Sequence, residues 1–206
     1  MAQEFHTFTL PNGIRVIHKE VPRAASHIAL VVNAGTRDEV KGEAGVAHFI
    51  EHCLFKGTRK RKTFHVLNRL ERVGGDLNAY TTKEETWISA SFLERDLERA
   101  IELVSDISFN STFPDKEIAK EQEVILDEIA SVLDNPSDVI FDEFEERLFG
   151  THPLGRTILG TQESVKNLGK YQINSFIDRY YCPDQMVFAS VGSTPIAQFK
   201  KLCEKY

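Results

Sequence analysis

The densest group of reactive side chains lies in residues 44–57, AGVAHFIEHCLFKG, where His48, Glu51 and His52 fall within five positions. The stretch reads as helix, and at 3.6 residues per turn side chains three and four apart leave the same face. Two imidazoles one turn apart suit a single Zn2+, and a carboxylate beside them can take a proton from a water in a position left open. The order H-x-x-E-H reverses the more familiar H-E-x-x-H. The bland alternative is an amphipathic helix with two half-buried histidines.

A second helix supplies acids in an unusual place. Residues 116–134, KEIAKEQEVILDEIASVLD, carry an apolar seam of Ile118, Ile125, Ile129 and Val132 into which Glu121 and Glu128 are set. An ionised carboxylate in a core-facing seam costs several kcal/mol unless a cation or hydrogen bonds compensate, and a zinc ion on His48 and His52 is such a cation. The two acids are two turns apart, so one can ligate while the other supports from behind. The alternative is a helix charged all round, with these acids solvated.

HFIEH at 48–52 followed by Glu128 resembles the pitrilysin (M16, inverzincin) family of zinc metallopeptidases, the group that includes the mitochondrial processing peptidase. FTLPNGIRVI, AGTRDE, GGDLNAYTTKEETWISASF, EQEVILDEI, HPLGRTILGT and YYCPDQMVFASVGS follow the family in the same order, over essentially the whole chain. The resemblance implies that His48, His52 and Glu128 bind zinc, that Glu51 is the general base, and that Glu121 supports from the second layer. It places the substrate contact at Asn78 and Ala79, with Tyr80 beside them. It also implies that residues 1–206 are one zinc-binding catalytic domain. The family joins such a domain to a second, homologous one, which this chain lacks and which would close the cavity and help stabilise the oxyanion.

Composition narrows the function classes. A chain of 206 residues, 41% hydrophobic, is long enough for one full core. The net charge of −6 argues against a nucleic-acid partner, and an acidic surface favours basic peptides weakly. The one basic run, KGTRKRK at 56–62, reads as a solvated loop. Cys53, Cys182 and Cys203 are odd in number with no C-x-x-C, which fits a reducing, cytoplasmic compartment. No leader is evident in MAQEFHTFTL, and no apolar run approaches the roughly 20 residues needed to span a bilayer.

The positioning elements follow from periodicity. FHTFTL and IRVIHKEV around Asn12-Gly13 read as a hairpin, HIALVVNAG as a central strand, DLNAYTT and TWISASF as an antiparallel pair, and MVFASV as a last strand. Glu43 sits near the start of the metal helix, where the dipole favours an acid. Thr63 is the expected N-cap of a helix ended by Gly74-Gly75. Further helices are expected at 95–109, 137–149, 164–180 and 197–206. The whole is an α+β fold, a mostly antiparallel sheet with helices packed on one face. The edge strand is expected at 77–81, where an extended peptide could be added beside the metal. There Asn78 either bonds substrate backbone or is a bulge or turn residue.

The reading is a zinc metalloendopeptidase acting on extended peptides, with a second domain, another subunit or self-association as partner. Two rivals stand beside it. One is a non-catalytic subunit that binds peptides or a partner; against it, such a subunit has no chemical reason to keep Glu51. The other is a metal lyase of the S-ribosylhomocysteine type, whose third ligand is a cysteine and for which Cys182 lies too far along.

Overall fold

Asn12 and Gly13 turn the chain as expected: Asn12 Oδ1 accepts the Ile14 N–H at 3.2 Å, and Gly13 takes φ +104°. The turn joins β1 (His6–Thr9) to β2 (Arg15–Glu20) in the computed structural model, which describes residues 5–206. The first four residues of the expected leaderless N-terminus lie outside the described residues. β3 (Ala25–Val32), β4 (Asp76–Thr81), β5 (Thr86–Leu93) and β6 (Met186–Gly192) complete one sheet in the order β1-β2-β6-β3-β5-β4. Only β2 and β6 run parallel; the other pairings are antiparallel. β3 is central and β4 is an edge, as the sequence suggested.

Alternation in the strands decides which face is covered. Ile28, Leu30, Val32, Ile88, Phe92 and Met186 are buried on one face, while the residues between them are partly or fully exposed. The helices lie on the buried side: α1 (Val46–Leu54) and α2 (Thr63–Glu71) against β4, α3 (Leu97–Asn110) against β5 and β3. α4 (Asp115–Leu133), α5 (Pro136–Phe149), α6 (Gln162–Asn167), α7 (Lys170–Tyr180) and α8 (Ile196–Lys205) follow. The fold is thus α+β, with a mostly antiparallel sheet and helices on one face. No helix of the described residues is long and apolar enough to cross a membrane.

Three local expectations are corrected. The N-cap of α2 is Lys62; Thr63 is the first helical residue, and its hydroxyl donates to Lys56 O at 3.0 Å. The helix expected at 164–180 is two, because Gln122 on α4 donates to Leu168 O at 2.8 Å and holds the junction extended. The basic run 56–62 is only partly solvated. Lys56 pairs with Glu121 at 2.8 Å, and Arg61 reaches Glu102 and Asp106 at 2.6 and 2.5 Å.

Candidate metal centre

α1 is apolar on most of its surface, and Val46, Ala47, Phe49, Ile50, Cys53 and Leu54 are buried. Its remaining stripe, His48, Glu51 and His52, faces α4. Its start is fixed by Glu39, whose two carboxylate oxygens accept the Gly45 and Ala47 N–H groups at 2.9 and 3.0 Å. These are helix-terminal donors with no partner inside the helix. The acid at this N-terminus is therefore Glu39. Glu43, expected in that role, is buried and paired with Arg179.

The loop after α5 is pressed onto the same end. Gly45 (φ +86°) and Gly160 (φ +74°) meet backbone to backbone, and a Cβ on Gly45 would lie 2.6 Å from Leu159 O. Arg156 ties the loop down by donating to Glu39 O at 2.8 Å, so this arginine fixes a loop as its sequence context suggested.

Three side chains from α1 and α4 converge. His48 Nε2 and His52 Nε2 lie 3.7 and 3.6 Å from the same oxygen, Glu128 Oε2. Single donor atoms of these three residues all fall within 4.8 Å of one another, and no cysteine joins the group among the described residues. Ligands about 2.0–2.1 Å from a tetrahedral ion are roughly 3.4 Å apart, so the three atoms fit one Zn2+ with little adjustment. Burial, and then the neighbouring His52, pull His48 down to about 4. Its ring is therefore neutral near pH 7, the form that ligates. His48 Nδ1 is buried without a hydrogen-bond partner.

The remaining acids separate by role. Glu121 is buried, and its Oε2 lies 3.2 Å from His52 Nδ1 while Oε1 faces Lys56. That is the arrangement in which a carboxylate orients a ligating imidazole from behind. Burial raises the Glu51 carboxyl above its ordinary value, opposed by hydrogen bonding from Thr81 and by the charge of His52. A carboxyl shifted upward in a cleft holds a proton more readily than a free one, as a group that accepts and passes on a proton should. Glu51 and Thr81 line a cleft of about 370 Å³ with His48 and Glu128, and Asp138 and Asp142 of α5 form part of its far wall.

The family model described as Insulinase (Peptidase family M16) matches residues 15–162. This chain belongs to peptidase family M16. It is 43% identical over 187 residues to a zinc protease of Mycobacterium leprae, covering 90% of this chain and 42% of that protein. A probable mitochondrial-processing peptidase subunit beta of Arabidopsis thaliana is 35% identical over 209 residues, covering 99% and 39%. The crystal structure of a protease from Helicobacter pylori superposes with a TM-score of 0.94 at 25% identity, over 98% of this chain and 49% of that one. The chain thus spans less than half the length of each of these proteins.

β4 brings the expected substrate residues to the sheet edge of this M16 chain. Thr82 N–H bonds Glu85 O, so by the alternation of an antiparallel ladder the amides of Leu77, Ala79 and Thr81 point away from β5. Asn78 pairs in register with Ser89 and is neither bulge nor turn. Its Oδ1 accepts the Ala79 N–H at 2.9 Å, closing the edge donor locally. Tyr80 is exposed and stacked on Trp87 at 5.4 Å.

Sequence reasoning missed Glu39, Lys56, Thr81, Asp138 and Asp142. Only Glu39, an acid a few residues ahead of a helix start, left a signal of the kind that could have found it.

Proposed function

We propose that this domain is the zinc-binding catalytic half of a metalloendopeptidase that hydrolyses extended peptides. The observation that carries the reading is the meeting of His48 Nε2, His52 Nε2 and Glu128 Oε2 beside Glu51, in a cleft bordered by an open sheet edge. His48, His52 and Glu128 would hold Zn2+, which when bound supplies Lewis-acid polarisation of a carbonyl and acidifies water. Glu121 keeps the His52 ring oriented, and Lys56 balances its charge. Glu51 takes the proton of the attacking water and delivers it to the leaving amine.

β4 positions the substrate. An extended peptide added to that edge takes the Ala79 N–H from Asn78, and main-chain hydrogen bonds then hold it without regard to sequence. Asn78, Ala79 and Tyr80 are the proposed contacts. The relatives are more than twice as long as the stretch they share with this chain. A second domain of similar fold, on the same or another chain, is accordingly proposed to close the cleft, with self-association as the other route to a second body.

The test is zinc content and turnover of a quenched, unstructured peptide for wild type and Glu51→Gln, each with a complementary M16 half supplied. The substitution is nearly isosteric and touches no ligand, so zinc is expected to be retained while turnover falls about 100-fold or more. Turnover near wild type in a zinc-loaded Glu51→Gln protein overturns the assignment of the base. Zinc bound by a wild type that binds but never cleaves peptide favours the non-catalytic subunit.

A further inference from the structure

β4 ends beside the proposed base. Because Thr82 N–H bonds Glu85 O, the alternating ladder pairs Asn78 and Tyr80 with β5 and turns the amides of Leu77, Ala79 and Thr81 outward. Of these, the Ala79 N–H is met by the neighbouring Asn78 Oδ1, a contact that an incoming strand can replace. Thr81 is placed differently. Its side chain shares a side of the strand with buried Ala79, the side on which α1 packs. Hydroxyl and amide therefore leave the strand end at the corner under the metal helix.

Two groups of one residue meet one carboxyl there. The Thr81 hydroxyl lies 3.5 Å from Ala47 O of α1, the outer limit of a hydrogen bond, and so remains available to a stronger acceptor. Glu51 stands one turn along α1 from Ala47 and lines the same cleft as Thr81. Burial raises its carboxyl, the Thr81 hydroxyl is the foremost pull against that, and the Thr81 backbone N–H adds a smaller one. The ladder and the carboxyl thus agree on where the outward amide of Thr81 goes. A base that takes a proton from water and passes it to an amine needs a fixed direction, and a metal fixes only its ligands. Glu51 is not among the proposed ligands. Its direction falls to the end of β4.

We propose that Thr81 is a positioning residue, whose hydroxyl and backbone N–H hold the Glu51 carboxylate beside the metal site, so that the last donor of the edge strand serves the base and not the substrate. This rests on the reading of Glu51 as the base, and it names the residue that aims it.

Hydrogen exchange of backbone amides in the zinc-free chain, followed by NMR, tests the contact without metal or peptide. An outward edge amide with no partner exchanges freely. The Thr81 amide is expected to be protected and to exchange roughly tenfold faster or more in Glu51→Ala, with the Tyr80 amide, which faces β5, unchanged as the internal control. Equal Thr81 exchange in the two proteins overturns the proposal. The zinc-loaded chain with a complementary M16 half tests the consequence. Thr81→Val keeps the shape of the side chain and loses only the hydroxyl, so kcat is expected to fall about tenfold or more, with KM and zinc affinity within about twofold of wild type. Thr81→Ser is expected to restore most of the loss, and Thr81→Val to cost nothing further in Glu51→Gln, where the base is already gone. A kcat unmoved by Thr81→Val overturns the proposal, as does a KM that rises while kcat holds, since Thr81 then serves the substrate. So does a Thr81→Ser protein no better than Thr81→Val. A wild type that never cleaves sinks the catalytic reading alone, and the exchange comparison still decides whether Thr81 holds Glu51.

Discussion

Glu128 is the residue on which metal affinity should turn. Its Oε2 stands between the two imidazoles, whereas Glu123 and Asp127 on the same helix are exposed and point elsewhere. Glu128→Gln is expected to lower zinc affinity far more than Glu123→Gln or Asp127→Asn in a chelator titration. Glu121→Gln should fall between, with a loss on the order of 10 to 100-fold, because it acts through His52 Nδ1. Equal zinc retention by Glu128→Gln and wild type would send the third-ligand role elsewhere. His48, Glu51 and His52 were legible in the sequence because their geometry is local to one helix, and Glu121 and Glu128 because acids stood in an apolar seam. Lys56 and Thr81 were not. Each reaches the site through tertiary packing, Lys56 from a run that reads as solvent-facing and Thr81 from the end of an edge strand.

The N-terminus of α1 shows what an element contributes beyond its own residues. Glu39 is 4% exposed, and burial raises its carboxyl to about 8 against the pull of the Ala47 and Gly45 amides and of Arg156. A carboxyl whose folded value lies above the ordinary 4.5 adds stability below pH 4.5, and that contribution is lost as the pH rises through 8. At about 1.4 kcal/mol per unit, full ionisation removes on the order of 5 kcal/mol. The melting temperature of the zinc-free chain is thus expected to fall between pH 5 and 9, and to fall less in Glu39→Gln. Glu51 shifts the same way, so the comparison is between those two proteins and not with a flat line. A wild type that gains stability across this interval removes the argument. Element types were readable from periodicity, but not every boundary. Gln122 divides α6 from α7 from another helix, and β6 enters the sheet between β2 and β3 by a pairing some 170 residues apart in sequence, which no local pattern encodes.

At the scale of the molecule, one full α+β layer pair carries all the proposed ligands and the proposed base between His48 and Glu128, so zinc binding is expected to need nothing further. Catalysis is expected to need more. The alternation of the strands and the seam of α4 made this layering legible; a second body was legible only through the family resemblance, and the lengths of the relatives now support it. The tetrahedral oxyanion calls for preorganised donors beyond the metal, and loss of one typically costs about 100 to 1,000-fold in rate. Among the nearest candidates in this chain Arg156 is bonded to Glu39 O and Tyr80 is held on Trp87, while the Tyr181 hydroxyl is buried without a hydrogen-bond partner. A cleft open on one side also leaves water in place and the peptide held along β4 alone, which weakens positioning. Residues 1–206 alone are therefore expected to fold and bind one zinc yet turn over peptide at least 100-fold more slowly than the same chain supplied with a complementary half. The assay is cleavage of a quenched peptide by the zinc-loaded chain at concentrations where it sediments as a monomer, with and without that half. Equal turnover in the two samples would mean that a donor among these residues already completes the site, and Tyr80→Phe would be the first variant to show it.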